Sequence, residues 1–255
     1  MPANRISNQE VIPEIESSVF EGHDTAQFAV GIVAVGDSVV PGLENEFHGY
    51  QLLRGNVYAR QKAYMPEEDL NADGTETDGD DSRSVHFAVI ENAMGNPRVV
   101  AAMRLIVKSH QDSSLLPIEK HYPEAFVEGE AGLYSTEVSR LIARHEDQKV
   151  QRKLKWPLFA AGVSYIVDHQ LGPVYGAVEE SLEHGLQRVG VPVSSIGEPK
   201  FIEEFNATKL PIRIDVPGLS ERLEDDGLLS AEQASTKAFV YSGTAPHAIP
   251  AAIVA

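Results

Sequence analysis

The sequence predicts a mixed α/β domain, a single mixed sheet flanked by helices. Three observations predict it. The apolar patterns run strand, helix, two hairpin strands, strand, helix, strand, helix, strand, strand, so a hairpin comes early and β-α-β units come late. Neither G-x-G-x-x-G nor G-x-x-x-x-G-K-[ST] occurs, so the doubly wound nucleotide-binding sheets, which repeat strand and helix from their start, fit less well. A chain of 255 residues with 42% hydrophobic and 23% charged side chains can bury a core and does not have the composition of a disordered chain.

Residues 1–22 read as a polar lead-in and residues 26–35 (AQFAVGIVAV) as a first strand, broken after Gly36, Pro41 and Gly42. Residues 44–64 place Phe47, Tyr50, Leu53, Val57 and Tyr64 at near-helical spacing, interrupted by Gly49 and Gly55. Residues 66–84 form a strongly acidic loop. Residues 85–90 and 99–107 read as hairpin arms around a turn at 92–97, residues 117–126 as a short helix and residues 135–143 as a further strand. Residues 152–170 read as a helix with Pro157 in its first turns, where a missing N–H is tolerated; Gly172-Pro173 stops it. Residues 174–178 are a strand, and Ser181 can cap a helix over 182–189 that ends at Gly190. Residues 193–202 and 210–216 are the last strands. Past Pro217-Gly218 the chain turns acidic, then Ala/Ser-rich, without a firm pattern. The expected organisation is a lead-in over 1–22, one domain over 23–218 and a tail over 219–255.

Charge narrows the function classes. A formal net charge of −17 argues against duplex nucleic acid, whose binding needs clustered positive charge, and against an anionic membrane surface. With no cysteine there is no disulfide, thiolate nucleophile or cysteine zinc site. The first residues lack the basic start and apolar stretch of a secretion signal, and no apolar run approaches the ~20 residues needed to span a bilayer, so a cytoplasmic location is expected. His86, His110, His121, His145, His169 and His184 show no H-x-x-x-H spacing, and no metal site is expected. Asp69, Asn71, Asp73 and Gly74 match the first half of a calcium loop, but its twelfth position is Asp80 rather than Glu.

Four motifs then arrive in order. Leu53-Arg54 is followed by Tyr58-Ala59-Arg60-Gln61-Lys62-Ala63-Tyr64; the acidic loop holds Glu67-Glu68-Asp69 and Asp78, Asp80, Asp81; Val99 to Leu105 reads V-V-A-A-M-R-L; and Thr136 to Leu141 reads T-E-V-S-R-L. Further on come Gly185, Arg188-Val189-Gly190-Val191-Pro192 and Ile196-Gly197. Together they resemble the acyl-homoserine-lactone (autoinducer) synthases and the related N-acyl-amino-acid synthases, which have the GNAT acyltransferase fold. The resemblance covers residues 27–216. It implies a transferase that moves an acyl group from an acyl carrier protein or CoA thioester to a small primary amine, S-adenosylmethionine or an ordinary amino acid, with no permanently bound cofactor. A GNAT-like binding module without turnover is the reading of a different class. The chain departs from the family in lacking the tryptophan after the first helix, since Trp156 is its only one, and in having alanine for the hairpin-strand glycine and Leu141 for phenylalanine.

Amide formation from a thioester needs a neutral amine, and a free α-amino group has a pKa of roughly 7.7–8.0. Glu137 is the candidate base that takes its proton. The competing reading is an ion pair with Arg140, Arg104 or Arg60. In a regular strand Glu137 and Arg140 face opposite ways; a β-bulge, which GNAT folds carry on this strand, would reunite them. Arg60, Asp80, Asp81, Arg104, Ser139 and Arg140 are the candidate substrate-binding residues, with Asp80 and Asp81 facing the acceptor's ammonium group or, alternatively, only solvent. Lys149, Arg152, Lys153 and Lys155 form a dense basic patch in an acidic chain, at the start of the helix where GNAT folds dock the pantetheine phosphate. The same patch suits an acidic acyl carrier protein.

Overall fold

A computed structural model describes residues 26–93, 96–109, 111–126, 134–188 and 190–225; the lead-in expected over 1–22 and the chain beyond 225 lie outside the described residues. Among the described residues the β-branched, apolar stretches become nine strands: β1 (Ala26–Val35), β2 (Ser38–Val39), β3 (Ser84–Ala93), β4 (Asn96–Ser109), β5 (Tyr134–Ala143), β6 (Val174–Val178), β7 (Val193–Ser195), β8 (Lys200–Ile202) and β9 (Ala207–Ile214). Six α-helices accompany them: α1 (Glu44–Gly55), α2 (Pro117–His121), α3 (Gln148–Lys153), α4 (Lys155–Asp168), α5 (Glu180–Arg188) and α6 (Val216–Asp225). The sheet order is β2-β1-β3-β4-β5-β6-β9-β7, with β8 also on β9. Every neighbouring pair is antiparallel except β5 and β6. This is the mixed sheet flanked by helices that the element order implies.

Alternation on the strands sorts the core into two faces. Phe87, Met103 and Leu105 point to the α4 side, where Leu158 and Ala161 pack on them. On the other face Tyr50 and Val57 cover Ala88 and Ala102, and Ile118 of α2 covers Ile106 and Tyr175. Leu105, Ile106, Leu154 and Leu158 are fully buried, each stabilising the fold by roughly 1.5–3 kcal/mol relative to exposure. Arg104 lies between Ala102 and Ile106 on β4, so the second face places a buried guanidinium between its two apolar clusters. No helix among the described residues is long and apolar enough to cross a membrane.

Several boundaries differ from expectation. The helix expected over 44–64 is α1 followed by a π-helical stretch, Asn56–Gln61. The helix expected from 152 begins at Gln148, because the Asp147 carboxylate accepts the Lys149 N–H and caps α3, and it breaks at Leu154 before α4. Ser181 lies inside α5 rather than capping it. The strand expected over 193–202 is split into β7 and β8, and residues 219–225, expected to be patternless, belong to α6.

Candidate active site

The parallel ladder between β5 and β6 contains only Thr136 with Val174 and Glu137 with Tyr175. Past that point the strands part, and a cavity of about 610 Å³ opens between residues 138–143 and 176–178. Its apolar walls include Val57, Val138, Leu141, Ile142, Trp156, Phe159, Leu182, Leu186, Ile212 and Ile214. Its charged lining is one-sided: Lys62, Arg140, Arg144, Arg152, Lys155 and Lys209 against Glu179. In a chain of net charge −17 that is a local reversal of sign.

A bulge shapes β5 beside the cleft. Ala102 pairs with Ile142 and Arg104 with Ser139, so two steps on β4 answer three on β5. Arg140 takes up the extra residue in a left-handed conformation, with φ of 53°. That conformation turns its side chain onto the face that carries Ser139 and Arg104. There it shares a carboxylate with Arg104: Asp78 Oδ1 lies 2.5 Å from Arg104 and Asp78 Oδ2 lies 2.8 Å from Arg140.

Three arginines and three carboxylates form one network at this site. Arg54 meets Glu76 through Nε and Asp81 through both terminal nitrogens, at 2.8 and 3.1 Å. Arg104 donates to Ser139 Oγ at 2.9 Å and to Asp81 at 2.6 Å. Arg140 reaches Glu76 at 2.8 Å and stacks over Tyr58, its guanidinium carbon 4.6 Å from the ring centre. Burial pushes the Glu76, Asp78 and Asp81 carboxyls up. The guanidiniums more than reverse this, Arg140 and Arg54 at Glu76, Arg104 at Asp78 and Arg54 at Asp81, and hold all three below the usual carboxylate range. Beneath the network His86, between the Tyr50 hydroxyl and the Asp81 carbonyl, is pushed by burial down to about 4 and is neutral at physiological pH.

The structure brings Asp81, Arg104, Ser139 and Arg140 into one cluster and places the other candidates outside it. Arg60 is not in the network: its side chain is 47% exposed and faces Glu67 at 3.4 Å, and the buried partner from this segment is Arg54. The wider turn of the π-helical stretch carries Arg60 outward while Tyr58 stays with Arg140. Asp80 turns away to Arg83, at 2.6 Å, and Asp78 takes the inward place. The acidic loop is therefore no solvated tether, since Glu76 and Asp81 are buried in the cluster. Glu137 makes no ion pair among the described residues. It is buried behind α2, accepts the Ile118 N–H at 2.8 Å, and does not line the cleft. Burial, only partly offset by that N–H, raises its carboxyl to about 7. The basic patch divides: Arg152 and Lys155 line the cleft, whereas Lys149 and Lys153 are exposed outside it.

The mixed sheet with its parted strands is an arrangement that solved structures share. The acyl-homoserine lactone synthase BjaI, described as CoA-dependent and solved with SAM and isopentyl-CoA, superposes with a TM-score of 0.59 at 21% identity, over 83% of this chain and 93% of its own. TofI, solved with an inhibitor and MTA, gives 0.53 at 18% identity over 76% and 96%. FeeM, an N-acyl amino acid synthase from uncultured soil microbes, gives 0.52 at 15% identity over 77% and 95%. No protein-family model matches the chain, and no curated protein matches it in sequence. At these identities the likeness is one of fold.

Proposed function

We propose that the chain is an N-acyltransferase that moves an acyl group from a thioester donor to a small primary amine in the cleft between β5 and β6. One observation carries the reading: an apolar cavity with cationic walls, opened where the two strands stop pairing. The apolar interior suits an acyl chain. The unpaired edge of β5 past Glu137 offers main-chain groups to the amides of a pantetheine arm, in the manner of an added strand. Arg152 and Lys155 suit the phosphate of that arm, and the exposed Lys149 and Lys153 suit the acidic body of a carrier protein.

In the reaction the amine nitrogen bonds to the acyl carbon, the C–S bond breaks, and the proton lost by nitrogen balances the thiolate that leaves. Glu137 serves as the proton acceptor through a water relay past Ser139, two residues along the same strand. A carboxyl held at about 7 is matched to an amine of about 7.7–8.0. The bulge at Arg140 loosens main-chain groups beside the cleft, and these are the candidates to stabilise the oxyanion.

The acceptor that fits the comparison with BjaI is S-adenosylmethionine: its amine is acylated, and its carboxylate oxygen then bonds to Cγ as the C–S bond to the sulfonium breaks, which releases methylthioadenosine and closes the acyl-homoserine lactone. An ordinary amino acid, giving an N-acyl amino acid, is the second reading, in line with the comparison with FeeM. Mass spectrometry of organic extracts from a host expressing the protein tests this. A lactone amide or an N-acyl amino acid absent from the control host is expected; extracts indistinguishable from the control's contradict the proposal.

A further inference from the structure

The cleft contains a second charged group that the arginine network does not use. Tyr64, Lys62, Glu179 and Lys209 come from three separate segments and all line the cavity. The Tyr64 hydroxyl donates to Glu179, whose same oxygen lies 3.7 Å from Lys62 Nζ and 3.8 Å from Lys209 Nζ. The Lys209 ammonium also stands 4.2 Å from the centre of the Tyr64 ring. Its side chain is 11% exposed, so it is sheltered within the wall rather than waving in solvent. Two ammonium groups share one carboxylate, and both contacts to it are longer than a hydrogen bond. An ammonium carries three donors, so donors are left over for a ligand.

The other cations of the cleft are engaged elsewhere: Arg144 donates through Nε to Gln61 Oε1 at 2.7 Å. Arg54, Arg104 and Arg140 are matched one for one by Glu76, Asp78 and Asp81. Arg152 and Lys155 belong to the α3–α4 side, which the proposed function assigns to the donor's phosphate. We infer that Lys209, with Lys62 beside it, receives the carboxylate of an α-amino-acid-type acceptor and so distinguishes an amino acid from a plain amine. The inference rests on the N-acyltransferase reading of the cleft. Charge supports it: the four side chains carry one unbalanced positive charge, and an acceptor carboxylate cancels it. Burial, opposed by Glu179 and reinforced by Lys62, already lowers the Lys209 pKa; an anion arriving there relieves that cost.

Titration calorimetry on the full chain tests this without turnover. The probes are S-adenosylmethionine against its decarboxylated form, L-tyrosine against tyramine, and CoA. For the acid that binds, Lys209→Met is expected to weaken affinity roughly tenfold to a hundredfold, the range of a hydrogen bond to a charged group. The matching decarboxylated amine and CoA should change less than about twofold, and Lys209→Arg should restore most of the loss. The idea is overturned if neither acid binds the wild-type chain more tightly than its decarboxylated amine, or if Lys209→Met weakens acid and amine alike. It is also overturned if the variant weakens CoA and spares the acids, since Lys209 then serves the donor's phosphates. Product analysis keeps the two readings apart. Amide formation without a preference for the carboxylate removes the role of Lys209 and leaves the transferase; a Lys209-dependent preference without any amide product does the reverse.

Discussion

Arg54 holds the site together from beneath, buried at 0% exposure between Glu76 and Asp81. Removing one partner of such a network leaves uncompensated charge, so Arg54→Met should cost about 3–5 kcal/mol in chemical denaturation. Arg60→Met, at an exposed pair, should cost less than about 1 kcal/mol; equal costs would contradict the placement. Acid acts through the same network. Glu76, Asp78 and Asp81 have folded pKa values below their unfolded ones, so they stabilise the fold at neutral pH and that contribution is lost as pH falls through the folded values. Glu137 has the opposite sign. Its folded pKa of about 7 lies above the unfolded value, so its contribution is present below the unfolded pKa and is lost as pH rises through about 7. Glu137→Gln should therefore gain stability relative to wild type between pH 4.5 and 8, by as much as about 3 kcal/mol, while lowering turnover by roughly 10²–10⁴. Full activity in a folded variant would remove Glu137 from the mechanism. Of these residues the sequence made Asp81, Arg104, Ser139 and Arg140 legible, because E-x-S-R and the hairpin arginine have fixed strand positions. Arg60 and Asp80 lie outside the cluster, with Arg54 and Asp78 inside it, for local reasons. No residue pattern marks the change to a π-helical step at Asn56, and in a run of near-identical carboxylates only the turn at Asp81–Arg83 decides which one faces inward.

The elements explain how an acidic loop comes to be buried. Gly55 closes α1, and a Cβ there would lie 2.3 Å from the Gly74 carbonyl oxygen, a backbone atom that cannot swing aside. The missing side chain lets residues 74–76 lie against the helix, where the Glu76 N–H reaches the Gln51 carbonyl at 3.1 Å. Alanine is the better helix former by about 1 kcal/mol, yet Gly55→Ala should destabilise by more than about 2 kcal/mol because the loop must move. A more stable variant in denaturant titration would contradict that packing. Element order was readable from periodicity alone, since strands β3 to β6 and the intervening helices keep clean apolar patterns. The split at Leu154 was not readable, since both sides of it are helical in pattern; the Asp147 cap was a signal present in the sequence. Gly197, placed inside an expected strand, marks the gap between β7 and β8.

At the scale of the molecule, a net charge of −17 repels an acidic carrier protein, so under the proposed function the docking of one falls to the basic patch. Arg152→Glu with Lys153→Glu should raise the apparent KM for an acyl carrier protein thioester strongly, less so as salt shortens the Debye length below about 8 Å. A short acyl-pantetheine should be affected much less; equal effects on both donors would place the patch at the phosphate instead of the carrier. The chain's lack of cysteine makes acyl transfer to an amine directly measurable, because thiol reagents see only released donor thiol. Purified protein is mixed with acyl-CoA or acyl carrier protein thioester and with S-adenosylmethionine or amino acids, and free thiol is followed alongside the amide by mass spectrometry. Thiol release should depend on the amine and match amide formation one for one; thiol release that is absent, or the same with and without every amine, rules out amine acylation by this protein.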